Sequence, residues 1–253
     1  MVANDSAGTT ARVIYVVGSG VDIGSPVAAA LASGGARVAW INDVDGAPAV
    51  ALPAGVVSVP ARFDSRAAVA AAFAAAQEAL GPPQQVVLSV MPEAGVQPQD
   101  IVATSDAQWR AVCGQTMKAT LYVLQAAHGQ FTAASGGGSV VVIGGSFSLA
   151  GAAQLIPLST AIEGQRGLVK STARQWGKSG ITVNWIAAAA KGLSERFADV
   201  KLPFKGDSVP VAFGRTLDLA REIVPVVEFL GSPAGRVMTG ATLLLDGGEW
   251  MVP

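Results

Sequence analysis

Short apolar runs with no polar alternation recur along this chain, and longer stretches with helical spacing separate them. Arg12–Val17, Arg37–Ile41, Val56–Val59, Gln85–Val90, Ser139–Ile143, Ile181–Ile186 and Thr242–Leu245 have the length and β-branched content of strands. Val140-Val141-Val142-Ile143 and Leu243-Leu244-Leu245 show no polar face, the pattern of strands covered on both sides. Helices are predicted over Pro26–Ser33, Ser65–Leu80, Asp106–Ala133, about Ser159–Gly177, and Leu217–Leu230. Gly136-Gly137-Gly138 and Gly231-Ser232-Pro233 stop two of these, and Ala188–Gly214 carries no regular spacing.

Strands alternating with helices require crossover connections, so the expected fold class is α/β. The expected architecture is a doubly wound Rossmann sheet, mostly parallel, with helices on both faces. Residues 12–253 read as a single domain, and the small, polar stretch over residues 1–11 reads as a flexible N-terminus. In such a sheet the ligand crevice lies at the carboxyl ends of the strands.

Composition narrows the partners. Hydrophobic residues make up 51% of the chain and charged residues 14%, against about 25% charged in an ordinary soluble domain. So apolar a surface predicts an oligomer. The net charge of −1 comes with no basic cluster, which excludes the electrostatic footprint of a nucleic-acid or anionic-membrane binder. No apolar run is long enough for a membrane span, and no signal peptide is seen, so a cytoplasmic protein is expected. The single cysteine, Cys113, and single histidine, His128, exclude an intramolecular disulfide and a multi-histidine metal site. Both fall on predicted helix and read as packing or surface residues.

From Gly167-Leu168-Val169-Lys170-Ser171-Thr172-Ala173-Arg174, through Gly180-Ile181-Thr182-Val183-Asn184, to Val237–Gly248, the chain resembles the short-chain dehydrogenase/reductase family. The resemblance runs over nearly the whole length. It implies a seven-stranded Rossmann sheet, a nicotinamide dinucleotide, and a dimer or tetramer.

The same resemblance places the family's functional residues. Gly167 follows the family's lysine by five positions, which puts Ile162 at that lysine and Leu158 at the tyrosine. The family's serine falls at Gly145, and its helix asparagine at Thr116. The family's tyrosine exchanges a proton while hydride moves to or from the nicotinamide, and the lysine draws its pKa down from near 10 toward working pH. Leucine and isoleucine do neither. The chain's two tyrosines, Tyr15 and Tyr122, lie well before this region, so no shift of register restores the acid.

The cofactor turn is altered too. The family's G-x-x-x-G-x-G reads here as Gly18-Ser19-Gly20-Val21-Asp22-Ile23-Gly24, so Asp22 stands at the middle glycine. That glycine lets backbone approach a pyrophosphate resting on a helix N-terminus. A carboxylate there repels phosphate and caps the helix itself, with Ser25-Pro26 read as the helix start. Ser89-Val90-Met91-Pro92, Ala188-Ala189 and Ala61-Arg62 replace further cofactor contacts, whereas Asn42-Asp43 keeps an acid where the family binds ribose hydroxyls. Gly18, Asp22, Gly24 and Asp43 are thus remnants of a cofactor site, and no cofactor is expected in this chain.

The expected function is a non-catalytic subunit assembled, as a heterotetramer, with an active short-chain dehydrogenase that carries NAD. The heteromeric dehydrogenase of anaerobic toluene (benzylsuccinate) degradation is a family system of that kind. One alternative is an enzyme built on Ser146, Ser148, Thr160, Glu163 or Lys191 near the crevice. Another is a ligand-binding regulatory homo-oligomer with an apolar crevice at Leu158 and Ile162, unless those side chains simply fill it. Lys191, Arg196, Lys201 and Lys205 mark the irregular stretch as a cover for the crevice or a contact for a partner.

Overall fold

The computed structural model describes residues 11–20, 22–43, 51–197 and 212–251. Apart from Ala11, the expected flexible N-terminus lies outside the described residues, as do Lys201 and Lys205. Seven strands form one sheet: β1 (Val13–Gly20), β2 (Arg37–Asp43), β3 (Val56–Ala61), β4 (Gln85–Met91), β5 (Gly138–Gly145), β6 (Ile181–Ala188) and β7 (Thr242–Leu245). Their order is β3-β2-β1-β4-β5-β6-β7. Every neighbouring pair is parallel, so the sheet is wholly rather than mostly parallel. The order reverses between β1 and β4, which opens a crevice at their carboxyl ends.

The strands outrun their apolar patterns. β1 extends to Gly20 because Gly18 pairs with Ser89 and Gly20 with Met91, and ladder bonds carry the backbone on where the side chains no longer signal a strand. Every residue of β4, β5 and β6 is buried, as their unalternating runs predict, whereas all four residues of the edge strand β7 are half-buried.

Helix α1 (Gly24–Ser33) packs with α8 (Val224–Leu230), and α2 (Arg66–Leu80), α4 (Gln115–Ala133) and α6 (Ile156–Trp176) pack in a row. Ser65 caps α2 by accepting the Ala68 N–H. The expected continuous helix over Asp106–Ala133 is instead divided. α3 (Asp106–Trp109), started by a Ser105/Gln108 capping box, passes through a wide π-type turn at Arg110–Gly114 into α4. α6 starts at Ile156 rather than Ser159, because Pro157 sits in the first turn, where its missing N–H leaves no bond unmade. Likewise α1 begins at Gly24, ahead of the Ser25-Pro26 start that the sequence pattern predicts. Two short helices complete the frame: α5 (Phe147–Ala150) after β5, and α7 (Ala190–Leu193) after β6.

Candidate functional site

The register of the last three strands sets one row at the carboxyl edge of the sheet: Gly145 lies beside Ala188, and Ala188 beside Leu245. What stands just past that row decides the local chemistry. At Gly145 there is no room for a side chain, because an added Cβ would run into the Phe147 ring. Phe147 is held there by a second ring, Phe197, 5.5 Å away. Leu158 and Ile162, on the first turns of α6, are completely buried and belong to the hydrophobic core. Leu158 packs against Gly95, where a Cβ would come within 3.2 Å of the leucine. Thr116, at the start of α4, is also fully buried, and its hydroxyl has no hydrogen-bond partner among the described residues. The structure therefore brings the four positions to the sheet's carboxyl edge and its flanking helices, but Leu158 and Ile162 fill space there rather than line an open pocket.

At the first turn, Asp22 caps α1. Its carboxylate accepts the Ser25 backbone N–H at 2.9 Å and the Ser25 hydroxyl. Gly18 and Gly24 touch, since a Cβ on Gly18 would lie 3.3 Å from the Gly24 Cα. This is the close approach of strand and helix that such a turn requires. The buried Trp40 indole N–H, without a hydrogen-bond partner among the described residues, stands over Gly24. Asp43 is half-buried at the end of β2, beside Asn42, whose side chain donates to the Asp43 carbonyl at 3.1 Å. Ser89 is buried in β4, and Arg62 is exposed after β3.

The alternative chemical candidates sort into two clusters. The buried Ser148 hydroxyl donates to Glu163 at 2.9 Å, and Glu163 also pairs with Arg166 one turn further along α6. The buried Ser146 hydroxyl donates to Glu249 at 2.9 Å. Burial holds the Glu249 carboxyl above the usual carboxylate range, the nearby Asp246 adds to that, and the Ser146 hydrogen bond and Lys191 oppose it. Sequence reading missed Glu249. It lies more than a hundred residues from its partner, and only its place just after Asp246-Gly247-Gly248 marks it out. Thr160 and Lys191 are exposed. Cys113 sits in the wide turn before α4, and burial pushes its thiol pKa up, which disfavours the nucleophilic thiolate. His128 stacks on Trp176 at 4.8 Å on the outer face of α4 and α6. Among the described residues no metal-binding cluster occurs, and no helix is long and apolar enough to cross a membrane.

Comparison with known proteins agrees with this frame. A family profile described as enoyl-(acyl carrier protein) reductase matches residues 19–249. Galactitol 2-dehydrogenase (L-tagatose-forming) of Cereibacter sphaeroides is 29% identical, over 92% of both chains. A 3-oxoacyl-[acyl-carrier-protein] reductase of Pseudomonas aeruginosa is 30% identical, over 72% of both chains. The solved 3-ketoacyl-(acyl-carrier-protein) reductase of Brucella melitensis superposes with a TM-score of 0.81 at 22% identity, covering 94% of this chain and 98% of its own. That structure is a complex with NADH, and it overturns the expectation that no cofactor belongs to this chain. The physical reason lies in Asp22: its carboxylate is engaged with Ser25 in capping α1, so its presence does not by itself exclude a dinucleotide. With the matched profile, the sheet order and the strand-to-helix glycine turn in agreement, the chain belongs to the short-chain dehydrogenase/reductase family of oxidoreductases.

Proposed function

We propose that this chain is a family member that does not itself run the tyrosine–lysine proton relay, and that it assembles with and supports an active short-chain dehydrogenase. One observation carries the reading: Leu158 and Ile162 are completely buried in the core at the positions that the resemblance assigns to the relay. Neither side chain exchanges a proton, and a carbonyl whose carbon receives hydride needs one at its oxygen. Gly18 and Gly24 at the first turn and Asp43 at the end of β2 are the residues that would hold a nicotinamide dinucleotide. The cofactor, where bound, would supply hydride chemistry; this chain's own residues would hold it with no proton donor at the relay positions, so complete turnover falls to the active partner's own site.

Support for assembly comes from surfaces the monomer leaves uncovered. Between α4 and α6 a groove of about 550 Å³ is lined by Leu121, Leu124, Leu168 and Trp176 together with polar residues, among them Arg66 and Gln125. On the far side the β7 leucines are only half-covered, and Phe229 and Val237 are exposed nearby. Exposed apolar side chains such as Leu121, Phe229 and Val237 gain by being covered by another subunit.

Co-expression with an active family member from the same organism, followed by native mass spectrometry, tests the proposal. The expected result is a mixed oligomer. The expected companion result is that the purified chain alone consumes no NADH with a panel of ketone and acyl-thioester carbonyl substrates. Separate homo-oligomers, or turnover by the chain alone, would overturn it.

A further inference from the structure

The groove between the two long helices lies in a surface whose charges are of one sign. α4 and α6 run side by side in the same direction. Met117 lies on Gly164 near their starts, where a Cβ on the glycine would meet the Met117 sulfur at 2.7 Å. His128 stacks on Trp176 near their ends, at 4.8 Å. The groove opens between these two contacts, with Leu121 and Leu124 on one side and Leu168 on the other. α4 contains no aspartate or glutamate, and its lysine, Lys118, is exposed. α6 contains one acid, Glu163, which is taken up by Arg166 and the Ser148 hydroxyl. Its other charged residues, Lys170 and Arg174, are basic and exposed. Arg66, exposed at the start of α2, lines the same groove. The exposed acids Asp64 and Asp106 stand before α2 and at the head of α3, outside both helices. The whole chain has a net charge of −1, so this basic face is a local feature.

Resting on the assembly reading above, we propose that the α4–α6 face docks a different subunit, one that sets aspartate and glutamate side chains around an apolar ridge. The same cations turn away a second copy of this chain. Helical spacing places Lys118 in line with Leu121 and Gln125, and Arg174 one turn after Ser171, so the cations border the groove. A two-fold axis brings identical patches face to face. Whatever its direction, Lys118, Lys170 and Arg174 of one copy then meet the same set on the other, with no uncommitted carboxylate on either helix pair. Like charges brought together at an interface oppose association, whereas facing carboxylates steer and register it. The face therefore discriminates by what it repels as much as by what it attracts. The apolar groove supplies the area to be covered, and the cations decide which partner covers it.

The charge rule is tested with an acidic-faced version of the chain itself. In the variant Lys118→Glu/Lys170→Glu/Arg174→Glu all three changes are at exposed positions, and circular dichroism checks its fold. Wild type and variant are mixed in equal amounts, and native mass spectrometry reads the dimers at about 0.01 M ionic strength, where charges act over about 30 Å. Association through any other face mixes the two proteins statistically. The expected result is a mixed dimer about tenfold above its statistical share, an excess that disappears near 1 M salt, where the range falls to about 3 Å. The neutral variant Lys118→Gln/Lys170→Gln/Arg174→Gln should show no such excess with wild type. A mixed dimer at or below its statistical share, no mixed dimer, or an excess indifferent to salt would overturn the proposal. The second arm uses the active family member from the same organism. The acidic-faced variant should bind it at least about tenfold more weakly than wild type does. If a mixed oligomer forms and the variant holds it as tightly, this inference fails while the assembly reading stands. If no mixed oligomer forms with the wild-type chain, it is the assembly reading that fails.

Discussion

Asp22 and Ser25 are joined twice at the head of α1: the carboxylate accepts the serine's backbone N–H at 2.9 Å and its hydroxyl as well. The free N–H groups and dipole of a helix start attract an anion, and here an anion is supplied from within the chain. A dinucleotide pyrophosphate and this carboxylate favour the same electrostatic position, so each weakens the other's hold.

Replacing Asp22 by glycine should therefore tighten NADH binding by about tenfold, the equivalent of ~1.4 kcal/mol. The lost cap should lower stability by about 1 kcal/mol. Fluorescence titration with NADH and urea unfolding measure the two effects. Unchanged or weaker NADH binding would show that the carboxylate does not compete with phosphate.

At Gly145, the position that the resemblance gives to the family's serine, a serine does not simply fit. A Cβ there runs into the Phe147 ring, which is itself held by Phe197. Gly145→Ser should cost roughly 1–3 kcal/mol, the usual cost of forcing extra atoms into a packed core. Pairing it with Phe147→Ala should recover part of that loss. If the two variants add with no coupling in urea unfolding, the ring is not what blocks the serine.

Ile162 is completely buried and belongs to the hydrophobic core. Ile162→Lys should destabilise the chain by about 3–5 kcal/mol, as expected for an uncompensated buried charge. The double variant Leu158→Tyr/Ile162→Lys should remain unable to oxidise NADH with a carbonyl substrate, since Gly145 and Thr116 still supply no serine or asparagine. Robust turnover by that variant, followed by absorbance at 340 nm, would mean that only the pair was missing.

Tyr15, the tyrosine of β1, donates its hydroxyl to the Gly81 carbonyl at 2.8 Å and packs edge-on against Phe73. Burial raises its pKa well above the ordinary phenol value. The folded state thus prefers the neutral phenol. That contribution to stability is intact below the unfolded phenol's pKa near 10 and is lost as pH rises beyond it. The wild-type urea midpoint should fall more steeply above about pH 10 than that of Tyr15→Phe, while at neutral pH the variant is less stable by about 1 kcal/mol for its missing hydrogen bond. Parallel pH curves for the two proteins would contradict this.

Period and composition were enough to predict the seven strands, their parallel arrangement and the main helices, because a strand buried on both faces has to be apolar throughout. The absence of a tyrosine from residues 146–177 was equally legible, since it needs only the order of residues. The wide turn at Arg110–Gly114 was not legible, because its residues keep helical spacing while the backbone widens. Nor was the answer to whether Leu158 and Ile162 leave a pocket. That depends on how closely Gly95 and its neighbours approach, and no pattern along the chain encodes an approach between distant segments.

The sequence by itself thus determined the fold class and the side chains available for chemistry, because both follow from local spacing and identity. Only the tertiary structure decided where those side chains act. It turned Asp22 onto Ser25, set the Phe147 ring against Gly145, and brought Glu249 from the last turn onto Ser146. These relationships join positions set side by side by strand register and turn geometry, and the register is settled by the burial of the whole sheet at once.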